Sequence, residues 1–364
     1  MKILIIQDYL RSGGTERQSV LLANAFAAAG HDTRLLTFRP GGPLDSTVAK
    51  NVPRETLQPF DLGLDWFAPG LTASAQKAQP NIVLCMGRMA NCYAGGLQKD
   101  FPATVVISTM RTGKNLPARF RRSLVDTRHV VANSAEARAT LVTQHAIPPD
   151  KISVIHNSLV FPPASALWRN EPLRSQHGAK SSTFVLLNVA MFRREKNQCE
   201  LIEIATSLPE QLDWQLWLAG EGPERAACEQ LAARKKLGAR VKFLGFHRDP
   251  TPLYCAADLA VHASWSEALS NFLIEAQAHG LLAVAYEAQG MSECFQPGRT
   301  GWVIPRDDRT AFRATLMRRM TEPAVAHAER SADARDYARE NFDAARQVAA
   351  YLELFQKLLA TPAS

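Results

Sequence analysis

Two glutamates, Glu267 and Glu275, stand eight positions apart in the stretch Ser266-Glu267-Ala268-Leu269-Ser270-Asn271-Phe272-Leu273-Ile274-Glu275. The pattern predicts a helix start between them. Ser270 or Asn271 can cap that helix, Phe272 to Ala278 continue it, and Gly280 can end it. Glu267 then lies on the entering loop and Glu275 projects from the second turn. The backbone N–H groups of Leu269, Ser270 and Asn271 lie between the two acids, at the positive end of the helix dipole. Such an end binds phosphate, and carboxylates beside it accept sugar hydroxyls. The arrangement suits a nucleotide sugar, with its diphosphate at the helix start, the hexose at one glutamate and the ribose at the other.

The chain that must position these groups has 364 residues, more than one core usually organises, so two domains are expected. Short apolar strands alternate with amphipathic helices in two successive series, the signature of parallel sheets covered on both faces. The first series has strands at Lys2–Gln7, Thr33–Phe38, Asn81–Met86, Thr104–Ser108, Val130–Ala132 and Ile152–Ile155, with a helix from Thr15 to Ala29. The second has strands at Phe184–Val189, Gln215–Ala219, Val241–Leu244, Leu259–His262 and Leu282–Ala285. Between them Phe161-Pro162-Pro163 through Ser182 is rich in breakers and is expected to be a linker. The expected domains are therefore 1–165 and 175–343, with an amphipathic last helix (344–361) packing back on the first. Ligands of open α/β sheets bind at the carboxyl ends of strands, so two such domains facing each other would hold substrates in the cleft between them.

Composition narrows the function classes. The formal net charge of +7 and pI near 9.2 favour anionic partners, and no nucleic-acid recognition module accompanies the charge. Six scattered cysteines form no C-x-x-C pair and are expected to be reduced, mostly buried thiols, which argues against zinc or redox centres. Gly13-Gly14 is not a G-x-G-x-x-G fingerprint, which argues against a dinucleotide cofactor. No apolar run reaches the roughly 18–20 residues of a membrane span, and the N-terminus has a core-strand pattern rather than a leader. A cytoplasmic protein is expected.

Further motifs follow one another in a fixed order. Gly13-Gly14-Thr15-Glu16 comes after the first strand and Asn133-Ser134 precedes a helix. Then come Arg193-Arg194-Glu195-Lys196-Asn197, Gly220-Glu221-Gly222-Pro223 and Phe243-Leu244-Gly245-Phe246. The two-glutamate segment, Gly290-Met291-Ser292-Glu293 and Gly301-Trp302-Val303-Ile304-Pro305 complete the series. In this order the chain resembles a family-4 glycosyltransferase of the GT-B fold, over nearly its whole length and most closely from about 184 to 305. The resemblance implies retaining transfer of a hexose-type sugar from a UDP- or GDP-sugar to a glycan or lipid-linked acceptor, as in cell-surface polysaccharide or lipopolysaccharide synthesis. It implies no bound metal or other cofactor, and the chain has no D-x-D carboxylate pair. Lys196 and an adjacent arginine would stabilise the departing diphosphate. Glu267 would bind donor-sugar hydroxyls and Glu275 the ribose, while Phe246 with His247 and Arg248 would bracket the base. Gly14 would approach the diphosphate, with Gly13 and Thr15 toward the acceptor.

The chain also departs from the family pattern. Ala190-Met191 stands where the family often has Gly-Arg, so Arg193, or Arg194, is expected to serve in place of the missing arginine. Ser108-Thr109-Met110-Arg111 lacks a frequent histidine and puts Arg111 on the acceptor side, toward a phosphate or an acidic acceptor. Basic residues from Arg111 to Arg128, interleaved with Leu116, Phe120, Leu124 and Val125, suit an anionic bilayer and peripheral attachment at the inner face of the membrane. Two other functions fit the same architecture. One is a non-hydrolysing nucleotide-sugar epimerase, which needs acids and histidines around the sugar; none is evident beyond Glu267. The other is an inactive partner subunit that binds a nucleotide sugar.

Overall fold

The computed structural model describes residues 1–163 and 168–361; residues 164–167, inside the expected linker, and 362–364 lie outside the described residues. Among the described residues, thirteen strands form two parallel sheets. The first contains β1 (Lys2–Gln7), β2 (Asp32–Thr37), β3 (Arg54–Thr56), β4 (Ile82–Cys85), β5 (Val105–Met110), β6 (His129–Ala132) and β7 (Ile152–Val154), in the order β3-β2-β1-β4-β5-β6-β7. The second contains β8 (Phe184–Val189), β9 (Trp214–Ala219), β10 (Val241–Gly245), β11 (Leu259–His262), β12 (Leu282–Tyr286) and β13 (Gly301–Ile304), in the order β10-β9-β8-β11-β12-β13. The inner strands read as continuous apolar runs because helices cover both of their faces. Each sheet with its helices is a Rossmann-like unit.

Two strands went unanticipated for a physical reason. β3 is three exposed polar residues at a sheet edge, and β13 is a four-residue edge strand opening on a glycine. Neither carries the apolar alternation by which strands announce themselves.

One unit comprises Met1–Ser158 together with the chain from Ala344, and the other Leu159–Asp343. In the first, a buried amide network fixes both crossing points of the chain. Gln18 exchanges two hydrogen bonds with the Ser158 backbone (2.7 and 3.0 Å), and Gln347 donates to Gln18 (2.9 Å) while accepting from the Ser158 hydroxyl (2.7 Å). The helix Ala344–Ala360 lays Tyr351 and Phe355 edge-on against Phe26, with ring centroids 6.1 and 5.5 Å away.

Much of the segment expected as a linker belongs to the second unit. The helix Glu171–Gln176 starts at Asn170, whose side chain caps it, and it carries Arg174, whose side chain is fully buried. That guanidinium pairs with Asp258 (3.0 Å) and donates to the carbonyls of Ala256, Lys180 and Thr183, while Asp258 also accepts from the Val185 N–H (2.7 Å). A buried cation, rather than an apolar stripe, joins this helix to β8, which is why periodicity does not reveal it.

The strand order reverses between β8 and β11, neighbours in the sheet, so the loops leaving their carboxyl ends lie side by side. The loops leaving β9 and β12 buttress these two. A Cβ on Gly220 (φ +142°) would come 2.1 Å from the Ala190 carbonyl oxygen, so the turn after β9 sits directly against the turn after β8. A Cβ on Gly290 (φ +71°) would come 2.0 Å from the Ala268 carbonyl oxygen, so the turn after β12 sits against the loop after β11. Only glycine combines such a conformation with so close an approach.

Two substitutions test these supports. Arg174→Met takes the buried cation from Asp258, leaving it only the more exposed Arg169 (2.7 Å), and strips three carbonyls of their donor. It is expected to cost about 3–5 kcal/mol, measured as a loss in urea unfolding of the second unit. Gly290→Ala adds backbone strain and a clash against Ala268. It should lower Tm, and crystallography of the variant should find residues 268–269 displaced while the β8–β12 framework is retained.

Candidate functional site

The turn after β8 carries the cationic motif. The side chain of Gln198, buried, donates to the carbonyls of Met191 (3.1 Å) and Ala190 (3.4 Å), and the Phe192 N–H bonds to the Glu221 carbonyl (2.9 Å). A single 3₁₀ turn follows at Arg194–Lys196, and Asn197, left-handed at φ 54°, turns the chain into the helix Gln198–Thr206. The Glu195 carbonyl then accepts from the Ser264 hydroxyl (3.0 Å) and the Trp265 N–H (3.1 Å). Those bonds draw the turn after β8 onto the loop after β11.

The result is an ion pair between Lys196 Nζ and Glu267 Oε1. The same oxygen accepts from His262 Nε2 at 2.9 Å. Burial opposes ionisation of Glu267, but Lys196 and the bond from His262 outweigh it and hold the carboxyl well below the usual range. Burial lowers the His262 pKa and keeps its ring neutral. Glu267 is therefore a carboxylate with one oxygen clamped from two sides.

Glu275 is held separately. It projects from the helix Asn271–Ala278, and its Oε2 accepts from the hydroxyl of buried Tyr254 at 2.6 Å. Tyr254 is itself sandwiched, 4.7 Å from the His279 ring and 6.2 Å from the Phe272 ring. Ser270 occupies the N-cap of that helix in extended conformation without a side-chain capping bond, so its hydroxyl does not compete for the first-turn N–H groups. The geometry leaves a helix start flanked by two oriented carboxylates and one lysine, suited to a diphosphate with hydroxyls on either side.

The other expected site residues fall as follows. Arg193 is half-buried and Arg194 exposed on the cationic turn, and among the described residues neither guanidinium is engaged in a hydrogen bond or ion pair with Glu267. Phe246 is 51% exposed just beyond β10. Gly13 is the N-cap of the helix Gly14–Ala28 in the first unit, and the Thr15 carbonyl accepts from Ser19 (3.0 Å). Arg111, expected on the acceptor side, directs its fork to Asn157 and to the hydroxyl of Tyr351 (2.8 Å). Its visible work is to tie the last helix to the first unit.

Three residues of the site had not been anticipated: His262, Asn188 and Tyr254. The expectation that no histidine sits by Glu267 is corrected by His262, which was visible only as the end of a strand. The available signal was a buried polar residue at the carboxyl end of each of two apolar strands, Asn188 in β8 and His262 in β11.

Comparisons with known proteins identify the family and the fold. The family of glycosyl transferases group 1 matches residues 169–341, and glycosyltransferase family 4 matches residues 12–159. N-acetyl-alpha-D-glucosaminyl L-malate synthase of Bacillus anthracis is 25% identical over 187 residues, 51% of this chain and 49% of that protein. The lipopolysaccharide core biosynthesis glycosyltransferase LpsE of Rhizobium meliloti is 30% identical over 128 residues, 35% of this chain and 37% of that protein. The chain thus spans about half the length, or less, of such curated relatives. The structure of Anabaena Alr3699/HepE in complex with UDP-glucose superposes with a TM-score of 0.82 at 22% identity, over 98% of this chain and 100% of that one, a likeness of fold. One family model matches each of the two Rossmann-like units, so the chain belongs to the family-4 glycosyltransferases, and the likeness over nearly its full length shows the GT-B fold.

Proposed function

We propose that this protein is a retaining, metal-independent glycosyltransferase. It moves a hexose-type sugar from a UDP- or GDP-sugar to a glycan or lipid-linked acceptor in the synthesis of a cell-surface polysaccharide or lipopolysaccharide. The observation that carries the proposal is the Lys196–Glu267 pair at the junction of β8 and β11, beside a helix start whose N-cap Ser270 makes no side-chain capping bond. Cleavage of the anomeric C–O bond leaves negative charge on the diphosphate, and Lys196, with Arg193 or Arg194 on the same turn, supplies the opposing charge. Glu267 orients the donor sugar and Glu275 the ribose. The relatives support the donor and the pathway: HepE is described with UDP-glucose, and LpsE is named for lipopolysaccharide core synthesis.

The epimerase reading loses ground to the same geometry. His262 is 1% exposed and both ring nitrogens are engaged, by Glu267 at 2.9 Å and Asn188 at 3.1 Å, so it does not offer an acid or base to a sugar carbon. The first unit contributes a seat on an anionic membrane. The helix Ala118–Asp126 exposes Arg119, Arg121, Arg122 and Val125 and buries Phe120 and Leu124, and peripheral attachment through residues 111–128 belongs to this proposal.

A thermal-shift screen with UDP- and GDP-sugars, followed by detection of released UDP or GDP, tests the activity and names the base. Glu275→Ala is expected to raise the donor KM about ten- to hundredfold, whereas Glu267→Ala and Lys196→Ala should lower kcat by about 10²–10³. Unchanged kinetics in all three variants would remove the site from the reaction. Flotation should recover the protein with vesicles containing anionic phosphatidylglycerol and not with pure phosphatidylcholine. Equal recovery from both would end the membrane assignment.

A further inference from the structure

We propose that His262 is the positioning residue for Glu267, and that Asn188 sets the tautomer in which it acts. The inference rests on the reading of Glu267 as the carboxylate that binds the donor sugar. It begins from an acceptor that can only accept. The Asn188 side-chain nitrogen lies 2.8 Å from the Val261 carbonyl oxygen, so the amide must present its NH₂ on that side. The opposite orientation would set two oxygens against each other.

The same nitrogen lies 3.1 Å from His262 Nδ1, and its second hydrogen is directed there. Nδ1 must then accept, which puts the single proton of the neutral ring on Nε2. That proton is donated to Glu267 Oε1 at 2.9 Å. The order of donation runs from Asn188 through His262 to Glu267, along the carboxyl ends of adjacent strands.

This arrangement costs stability. Asn188 and His262 are each 1% exposed, and the Asn188 carbonyl oxygen is buried without a hydrogen-bond partner. An apolar pair would fill β8 and β11 without the desolvation cost of an unpaired acceptor. What the polar pair supplies is direction. Lys196 is a point charge on a flexible stem, and by itself it would leave the carboxylate free to swing. His262 is a rigid ring packed 5.5 Å from Phe272, and its N–H comes from the strand rather than the loop. With both donors on Oε1, the carboxylate rotation is set and Oε2 takes no part in either bond.

The charged groups facing the ring are Glu267 and Lys196, which act in opposite directions on it, and burial decides for the neutral form. Loss of His262 should therefore change orientation rather than charge.

The test uses the full-length protein. ¹⁵N-histidine NMR at pH 7 should show the ring whose resonances vanish in His262→Gln as a neutral Nε2–H tautomer. Seeing an Nδ1–H ring or an imidazolium there would overturn the relay even in an active enzyme. In kinetics, His262→Leu should lower kcat about ten- to hundredfold with donor KM changed by less than about threefold, and His262→Gln, which keeps an N–H donor, should recover most of it. Equal kcat in the Leu and Gln variants would overturn the positioning role.

Wild-type kcat should show no histidine-dependent limb between about pH 6 and 8. Asn188→Asp puts a carboxylate against Nδ1, draws the proton there and raises the ring's pKa, so a limb should appear near neutrality. If Glu267→Ala leaves transfer intact, the underlying reading of Glu267 fails, and the positioning role fails with it, whatever the tautomer.

Discussion

A buried carboxylate needs its donors brought to it, and the second unit is arranged around that requirement. Glu267 is 10% exposed in its side chain and ionised because Lys196 arrives from the turn after β8 and His262 from the end of β11. Removing an ion from water costs several kcal/mol unless charge and hydrogen bonds replace the solvent. The two strands that supply those groups are neighbours only because the sheet order reverses there. In a sheet of another order, Lys196 and Glu267, 71 residues apart, would not meet.

The glycine turns follow from the same requirement. The turn carrying Lys196 is a single 3₁₀ turn with no stability of its own, so it has to be packed from outside. Gly220 allows the turn after β9 to lie against Ala190, and Gly290 does the same for the turn after β12 against Ala268. Backbone meeting backbone at that distance leaves loops little room to shift, and preorganised donors stabilise developing charge without reorganising first. Motifs that look like scattered glycines in the chain are contacts between neighbouring turns.

The same physics separates arginines consumed by the fold from arginines whose charge stays outside it. Arg174 and Arg111 are both arginines in segments without strong patterning, and both are consumed by the fold. Arg174 is closed in by Asp258 and three carbonyls, and Arg111 is held by Asn157 and Tyr351. Arg193 and Arg194 instead stand on the cationic turn beside Met191, where the family often carries its arginine, with their charge outside the Lys196–Glu267 pair.

The fold was largely legible in the chain because apolar strands buried on both faces have to be written as apolar runs. Every inner strand was anticipated, whereas the exposed edge strand β3 and the cation-held helix Glu171–Gln176 were not, since such segments need no apolar runs. Nor was β13, a four-residue edge strand too short to show a pattern. Among the site residues, Glu267, Glu275 and Lys196 stood out by spacing and motif order alone. His262, Asn188 and Tyr254 did not, because a buried polar residue looks like a lone exception in a strand or helix until its partner is known. By itself the sequence determined the two-unit parallel architecture and which carboxylates could serve a nucleotide sugar. Only the tertiary structure decided which donors meet them, because hydrogen bonds depend on direction and on neighbours that sheet order brings together from distant parts of the chain.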